Sequence, residues 1–60
     1  MSAPEHEHSA RIDLAAQWLV ETLPEHQPRP LVPSLRTMFG LTAMEACTAI
    51  REANKRRASQ

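Results

Sequence analysis

Residues Ser34 to Ile50, SLRTMFGLTAMEACTAI, decide the fold of this chain. Gly40 is the only glycine in the chain, and it stands between two segments with helical spacing of apolar residues. Thr42 is followed three residues later by Glu45, the pattern of a capping box at the start of a helix. The apolar residues ahead of the glycine are Leu35, Met38 and Phe39. The stretch therefore predicts two helices joined by a tight turn.

The two helices on either side of Gly40 differ in length. Pro33 suits the first turn of a helix, so the shorter one is predicted over residues 33–39. The longer helix is predicted over residues 43–57, with residues 58–60 fraying. Its predicted inward face is made of small and apolar residues, namely Ala43, Ala46, Cys47, Ile50 and Ala53. Small residues allow two helices to approach closely.

A further helix is predicted over residues 10–23, capped by Ser9 and ended by Pro24. Its predicted core face consists of Ile12, Ala15, Ala16, Leu19 and Leu23. Residues 1–8 lack a periodic apolar pattern and are predicted to form a disordered tail. Together these segments predict one all-α, three-helix helix-turn-helix domain over residues 9–57, with the prolines between residues 24 and 33 forming a stiff connector.

Length and composition limit the class of protein. Sixty residues, 42% of them hydrophobic, suffice for one small domain. No apolar run reaches the roughly 18 residues of a membrane span, and the start MSAPEHEH lacks the pattern of a secretory signal. The single cysteine, Cys47, excludes an internal disulfide and is compatible with a reducing compartment. We therefore expect a cytoplasmic protein without a membrane segment.

The formal net charge is zero, but the charge is divided between the two halves. Residues 1–33 hold five acids and two bases, whereas residues 34–60 hold five bases and two acids, giving −3 and +3. A neutral total is unusual for a small domain that binds DNA, since affinity for the duplex scales with the number of Lys and Arg contacts to phosphates.

Catalytic and metal-binding patterns are weak in this sequence. His6 and His8 alternate with glutamates, but two histidines on a tail give no preformed metal site. Cys47, predicted to face inward, is expected to act as a small hydrophobic residue and not as a nucleophile. A 60-residue helical domain also offers little room for a concave pocket. We expect no catalytic residue, no metal, no cofactor and no enzymatic activity.

The stretch Val32 to Arg51 resembles the helix-turn-helix of phage repressors and related bacterial regulators. Leu35, Phe39, Gly40 and Leu41 match its pattern, as do Ala46, Ala49 and Ile50, whereas Arg36 stands where that family has a small residue. The resemblance implies that the second helix of the pair presents Thr42, Ala43, Met44, Cys47, Thr48 and Arg51 outward. This set is poor for reading base edges, because most of its members are small or apolar.

The outward residues instead favour a protein partner. Met44 beside Thr48 makes an adaptable, partly apolar surface, and Trp18 is a candidate anchor. The predicted partner-binding residues are Trp18, Thr42, Met44, Thr48, Arg51 and Lys55.

The connector PRPLVPSLR, residues 28–36, and the stretch FGLTAMEACTAIREA, residues 39–53, are similar to QseM-type antiactivators of rhizobial integrative and conjugative elements. This resemblance implies an antiactivator that binds and inhibits transcriptional activators, a TraR-type quorum-sensing regulator and the FseA excision activator. It transfers no particular interface residue.

Two alternatives stay open at this point. The +3 half of the chain is compatible with a small DNA-binding transcription factor or an excisionase-like protein, in which Arg51 contacts DNA. A core this small would also gain from burying Trp18 or Met44 against a second copy, so a homodimer is a further possibility.

Overall fold

A computed structural model describes residues 3–59, with side chains from Ser9 onward. Its elements are α1 (Ala3–Glu21), a short 3₁₀ turn (Pro24–His26), α2 (Leu31–Phe39) and α3 (Ala43–Ala58). No strand occurs within that part of the chain. The predicted all-α, three-helix class is confirmed.

α1 covers a different range from the predicted residues 10–23. It begins at Ala3, and Pro4 in its first turn is compatible with a helix because the first N–H groups of a helix have no intrahelical partner. It ends at Glu21, two residues before the predicted end, because Pro24 holds Leu23 in an extended conformation with φ −61° and ψ 144°. Of the predicted tail, residues 1–8, the backbone of residues 3–8 belongs to α1, and Met1 and Ser2 lie outside the described residues.

α2 begins at Leu31, earlier than the predicted start at Pro33. Pro30 is its N-cap residue, and the Ser34 hydroxyl donates a hydrogen bond of 2.8 Å to the Pro30 carbonyl. Pro33 thus occupies the third helical position, where its missing N–H costs no hydrogen bond. The prolines of the connector therefore lead directly into the helix.

The turn between α2 and α3 has the predicted chemistry. Gly40 has φ +67° and ends α2 in the left-handed conformation, which glycine adopts without steric cost. The Glu45 N–H donates to the Thr42 hydroxyl at 3.1 Å, and the Thr42 N–H donates to the Glu45 carboxylate at 2.9 Å. Both halves of the capping box are present, and the glycine turn and the start of α3 are confirmed.

The core is built mainly from alanine and leucine. α1 packs most extensively against α3, and α2 closes the remaining side. Small side chains on the facing surfaces of α1 and α3 bring these two helices close together, which limits the apolar volume between them. The buried residues are Ala15, Ala16, Leu19, Leu35, Leu41, Ala46, Ala49 and Ala53.

Three residues that the apolar spacing assigns to the core are exposed, and the helix-turn-helix resemblance places two of them, Ala43 and Cys47, outward. Ala43 and Cys47 lie on the surface of α3, since the helix turns Ala46, Ala49 and Ala53 into the core instead. Leu23 is 57% exposed, because α1 has already ended at Glu21 and the extended backbone carries Leu23 away from the core face. Cys47 is therefore a surface thiol and not a core residue.

Candidate functional site

Four of the six predicted partner-binding residues share the outer face of α3. Met44, Thr48, Arg51 and Lys55 are all exposed and follow one another at helical spacing of four, three and four residues. We call this set the α3 face. It runs from the first turn of α3 to its last turns, apolar at the beginning and basic toward the end.

Met44 is the most exposed large hydrophobic residue in the described part of the chain, with 79% of its surface accessible. The Thr48 hydroxyl donates a hydrogen bond of 3.0 Å to the Met44 carbonyl, so the helix backbone already binds this polar group. Exposed Ala43 and Cys47 lie on either side of Met44 in the sequence. The first two turns of α3 therefore present a surface with few polar groups.

Thr42 has a structural task at the start of α3. Its hydroxyl and its N–H both form the capping box with Glu45. Although Thr42 is exposed, its side-chain oxygen is bound within the chain. A partner that contacts Thr42 would therefore meet a side chain whose hydroxyl already accepts a hydrogen bond from the Glu45 N–H.

Trp18 contacts α2 and is not part of the α3 face. It belongs to α1 and packs edge-on against Phe39 of α2, with ring centroids 6.1 Å apart and an interplanar angle of 61°. Both rings are half-buried. The structure thus places the tryptophan at the junction of α1 and α2, whereas the other predicted residues belong to α3 and its cap.

Arg56 forms ion pairs within the molecule. Its guanidinium binds the Asp13 carboxylate of α1 and lies 3.7 Å from the Glu52 carboxylate. The Asp13 hydrogen bond is the main reason why the pKa of Arg56 is raised above its ordinary value, and desolvation partly opposes the rise. This cation joins α3 to α1, so binding a phosphate would require it to leave the Asp13 carboxylate.

Arg57 closes the C-terminal end of α1. Its Nη2 donates to the Leu19 carbonyl at 2.7 Å and to the Thr22 carbonyl at 3.5 Å. Gln27 Nε2 donates to the same two carbonyls, at 3.3 and 3.0 Å. The sequence pattern did not predict either role: Arg57 is 38 positions from Leu19 and leaves no local pattern, and Gln27, 8 positions from Leu19, follows a chain reversal that the pattern does not position.

Internal use of Arg56 and Arg57 reduces the charge that the C-terminal half can offer to a partner. Arg51 and Lys55 are exposed, and neither forms an ion pair with another residue that the structure describes. They are therefore the two α3 cations that remain for an external contact.

An open groove of about 460 Å³ lies between the connector and α2. Its lining contains no ionisable side chain, so its walls offer no acid, base or charged anchor. The lining residues are Pro28, Pro30, Pro33, Ser34, Thr37 and Met38.

Two kinds of feature do not occur among the described residues. Among them, no three His, Cys, Asp or Glu side chains gather as metal ligands would. No helix in the same part of the chain combines the length and the apolar character needed to cross a membrane.

We compared the chain with models of protein families, with curated protein sequences and with solved structures, and none of these comparisons found a match.

Proposed function

We propose that the chain is a cytoplasmic regulator that acts by binding another protein through the α3 face. The observation that carries this proposal is the 79% exposure of Met44 in the first turn of α3. Covering an exposed methionine side chain with an apolar partner removes apolar surface from water and stabilises the complex. Methionine is also flexible and adapts to partners of different shape. A methionine here offers DNA no hydrogen-bond donor or acceptor that distinguishes bases.

The charges of the α3 face support the same proposal. Arg51 and Lys55 follow the apolar part of the face, so a partner segment with an apolar anchor and nearby carboxylates would fit it. The resemblance of residues 28–36 and 39–53 to QseM-type antiactivators suggests which partners to test first. We propose a transcriptional activator of the TraR or FseA type, whose inhibition would restrain quorum sensing and transfer of a mobile element.

The test compares two methionines on different helices. Met44→Glu should weaken binding to a purified activator about tenfold or more, because a carboxylate would replace the apolar anchor. Met38→Glu is the matched control: Met38 is 49% exposed but belongs to α2, and its substitution should leave affinity unchanged. Affinity is measured by calorimetry, and circular dichroism checks that both variants keep their helices.

Either of two results would contradict the proposal. One is equal affinity of Met44→Glu and the unchanged chain for an activator that binds. The other is an absence of binding to activators of both types, together with a specific DNA complex.

DNA binding is the second candidate, and the exposure of Arg51 and Lys55 on the second helix of a helix-turn-helix favours it. A gel shift with the upstream region of the chain's own gene, at low and moderate salt, separates the two functions. A sequence-specific complex that weakens with salt and with Arg51→Ala would favour DNA. Sequence-independent binding only at low salt would count against it.

A further inference from the structure

The outer side of α1 carries a row of residues that is separate from the α3 face and that contacts the core only through Trp18. Arg11, Leu14, Trp18 and Glu21 follow at spacings of three, four and three residues, which places them along one side of the helix. We call this row the α1 stripe. It is about 15 Å long at a rise of 1.5 Å per residue. Leu14 is 62% exposed, Trp18 is half-buried, and the two charged residues are exposed.

The charged ends of the α1 stripe have unused binding capacity. Arg11 forms no hydrogen bond or ion pair with any residue from Ser9 to Ser59. Glu21 accepts one hydrogen bond, from Gln17 Nε2 to its Oε2 at 2.8 Å, which leaves its second oxygen exposed. The stripe therefore has at one end a cation with no partner between Ser9 and Ser59, an accessible carboxylate at the other end and apolar side chains between them.

This order of residues is self-complementary under a two-fold axis. When two identical helices pack antiparallel, residues equally far from the axis on opposite sides face each other across the pair. Arg11 and Glu21 are equally distant from position 16, and so are Leu14 and Trp18. A single register, centred on position 16, thus brings opposite charges together at both ends and apolar side chains together in the middle.

We infer that the α1 stripe binds the same stripe of a second copy of this chain, antiparallel and centred on position 16. Two Arg11–Glu21 ion pairs would flank two Leu14–Trp18 contacts. One pair of helices with a stripe this short buries less surface than a standard protein interface, so the dimer is weak and exchanges with the monomer. This inference does not depend on the proposed function, since it leaves the α3 face uncovered by α1.

Concentration-dependent measurements on the whole chain test the inference. Sedimentation equilibrium between about 10 μM and 1 mM should show a monomer–dimer equilibrium, a range chosen because weak interfaces dissociate there. Trp18 is the only tryptophan, so its emission should shift to shorter wavelength as the dimer forms. A reductant is present throughout, because exposed Cys47 would otherwise form intermolecular disulfides.

Charge reversal tests the register. Arg11→Glu and Glu21→Arg should each weaken self-association about tenfold, because both ion pairs become repulsive contacts. The double variant Arg11→Glu/Glu21→Arg should restore it, since opposite charges face each other again. Met44→Ala is the control on the other surface and should leave self-association unchanged.

Three outcomes would overturn the inference. The first is a chain that stays monomeric at about 1 mM, a concentration at which even a weak dimer is populated. The second is self-association that the double charge reversal does not restore, although circular dichroism shows folded variants. The third is self-association that Met44→Ala abolishes, which would assign the contact to the α3 face.

Discussion

Thr42 starts α3 through two reciprocal hydrogen bonds, and its loss should be measurable. Thr42→Ala removes the hydroxyl that binds the Glu45 N–H, so we expect a loss of about 1 kcal/mol in the free energy of unfolding. Urea denaturation followed by circular dichroism measures this difference. Thr48→Ala is the matched control, because the Thr48 hydroxyl binds only its own helix backbone at an exposed site. Equal losses for the two variants would contradict the role of the cap.

At Gly40 a substitution tests the cost of the backbone conformation without a steric clash. A Cβ atom at this position would meet no heavy atom within 4 Å, so only the positive φ of 67° opposes a side chain. We expect Gly40→Ala to lower the free energy of unfolding by about 1 kcal/mol. Gly40→Asn should cost less, since asparagine tolerates the left-handed conformation better. Urea denaturation of both variants checks this order, and the reverse order would contradict it.

At the scale of the elements, the last turn of α1 is completed jointly by α3 and the connector. Arg57→Ala removes one of the two donors to the Leu19 and Thr22 carbonyls and leaves Gln27 as the other, so we expect a loss of about 1 kcal/mol in the free energy of unfolding. Lys55→Ala, an exposed cation two residues away, should change stability little. Chemical denaturation compares the two. A similar effect of both would mean that general charge, and not the capping of α1, matters.

On the scale of the whole molecule, three leucines supply the large side chains of the core. Leu35 has no exposed surface, Leu19 and Leu41 are 2% and 5% exposed, and the other buried residues are alanines. Leu35→Ala should cost roughly 3–5 kcal/mol. A 60-residue domain has a total stability of roughly 3–9 kcal/mol, so this variant should be largely unfolded at 37 °C by thermal denaturation. Leu23→Ala, at a 57% exposed position, is the control and should melt at nearly the same temperature as the unchanged chain. Equal melting temperatures for Leu35→Ala and Leu23→Ala would contradict this description of the core.

Local chemistry explains what the sequence predicted correctly. Gly40 and the pair Thr42 and Glu45 act over a few residues, so their pattern is visible without any tertiary contact. The exposure of Met44, Thr48, Arg51 and Lys55 on one face likewise follows from helical periodicity.

The incorrect or missed predictions concern residues whose positions depend on contacts with a neighbouring helix. Cys47 and Ala49 are both small and apolar, so periodicity does not distinguish which of them faces inward. Packing in the core that the helices share buries Ala49 and leaves Cys47 exposed. The capping of α1 by Arg57 depends on a contact with the other end of the domain, and Trp18 is positioned by Phe39 of α2. None of these relations has a trace in the local sequence.

The contact between Arg57 and α1 also bears on how the chain acquires its structure during synthesis. α1 precedes α3 in the chain, and one of the two donors that complete its last turn, Arg57, comes 38 residues after Leu19. α3 also supplies most of the surface against which α1 packs. Because the two helices stabilise each other, we expect neither to fold stably until nearly all of α3 has been synthesised. Until then the nascent chain exposes apolar residues to proteases and chaperones.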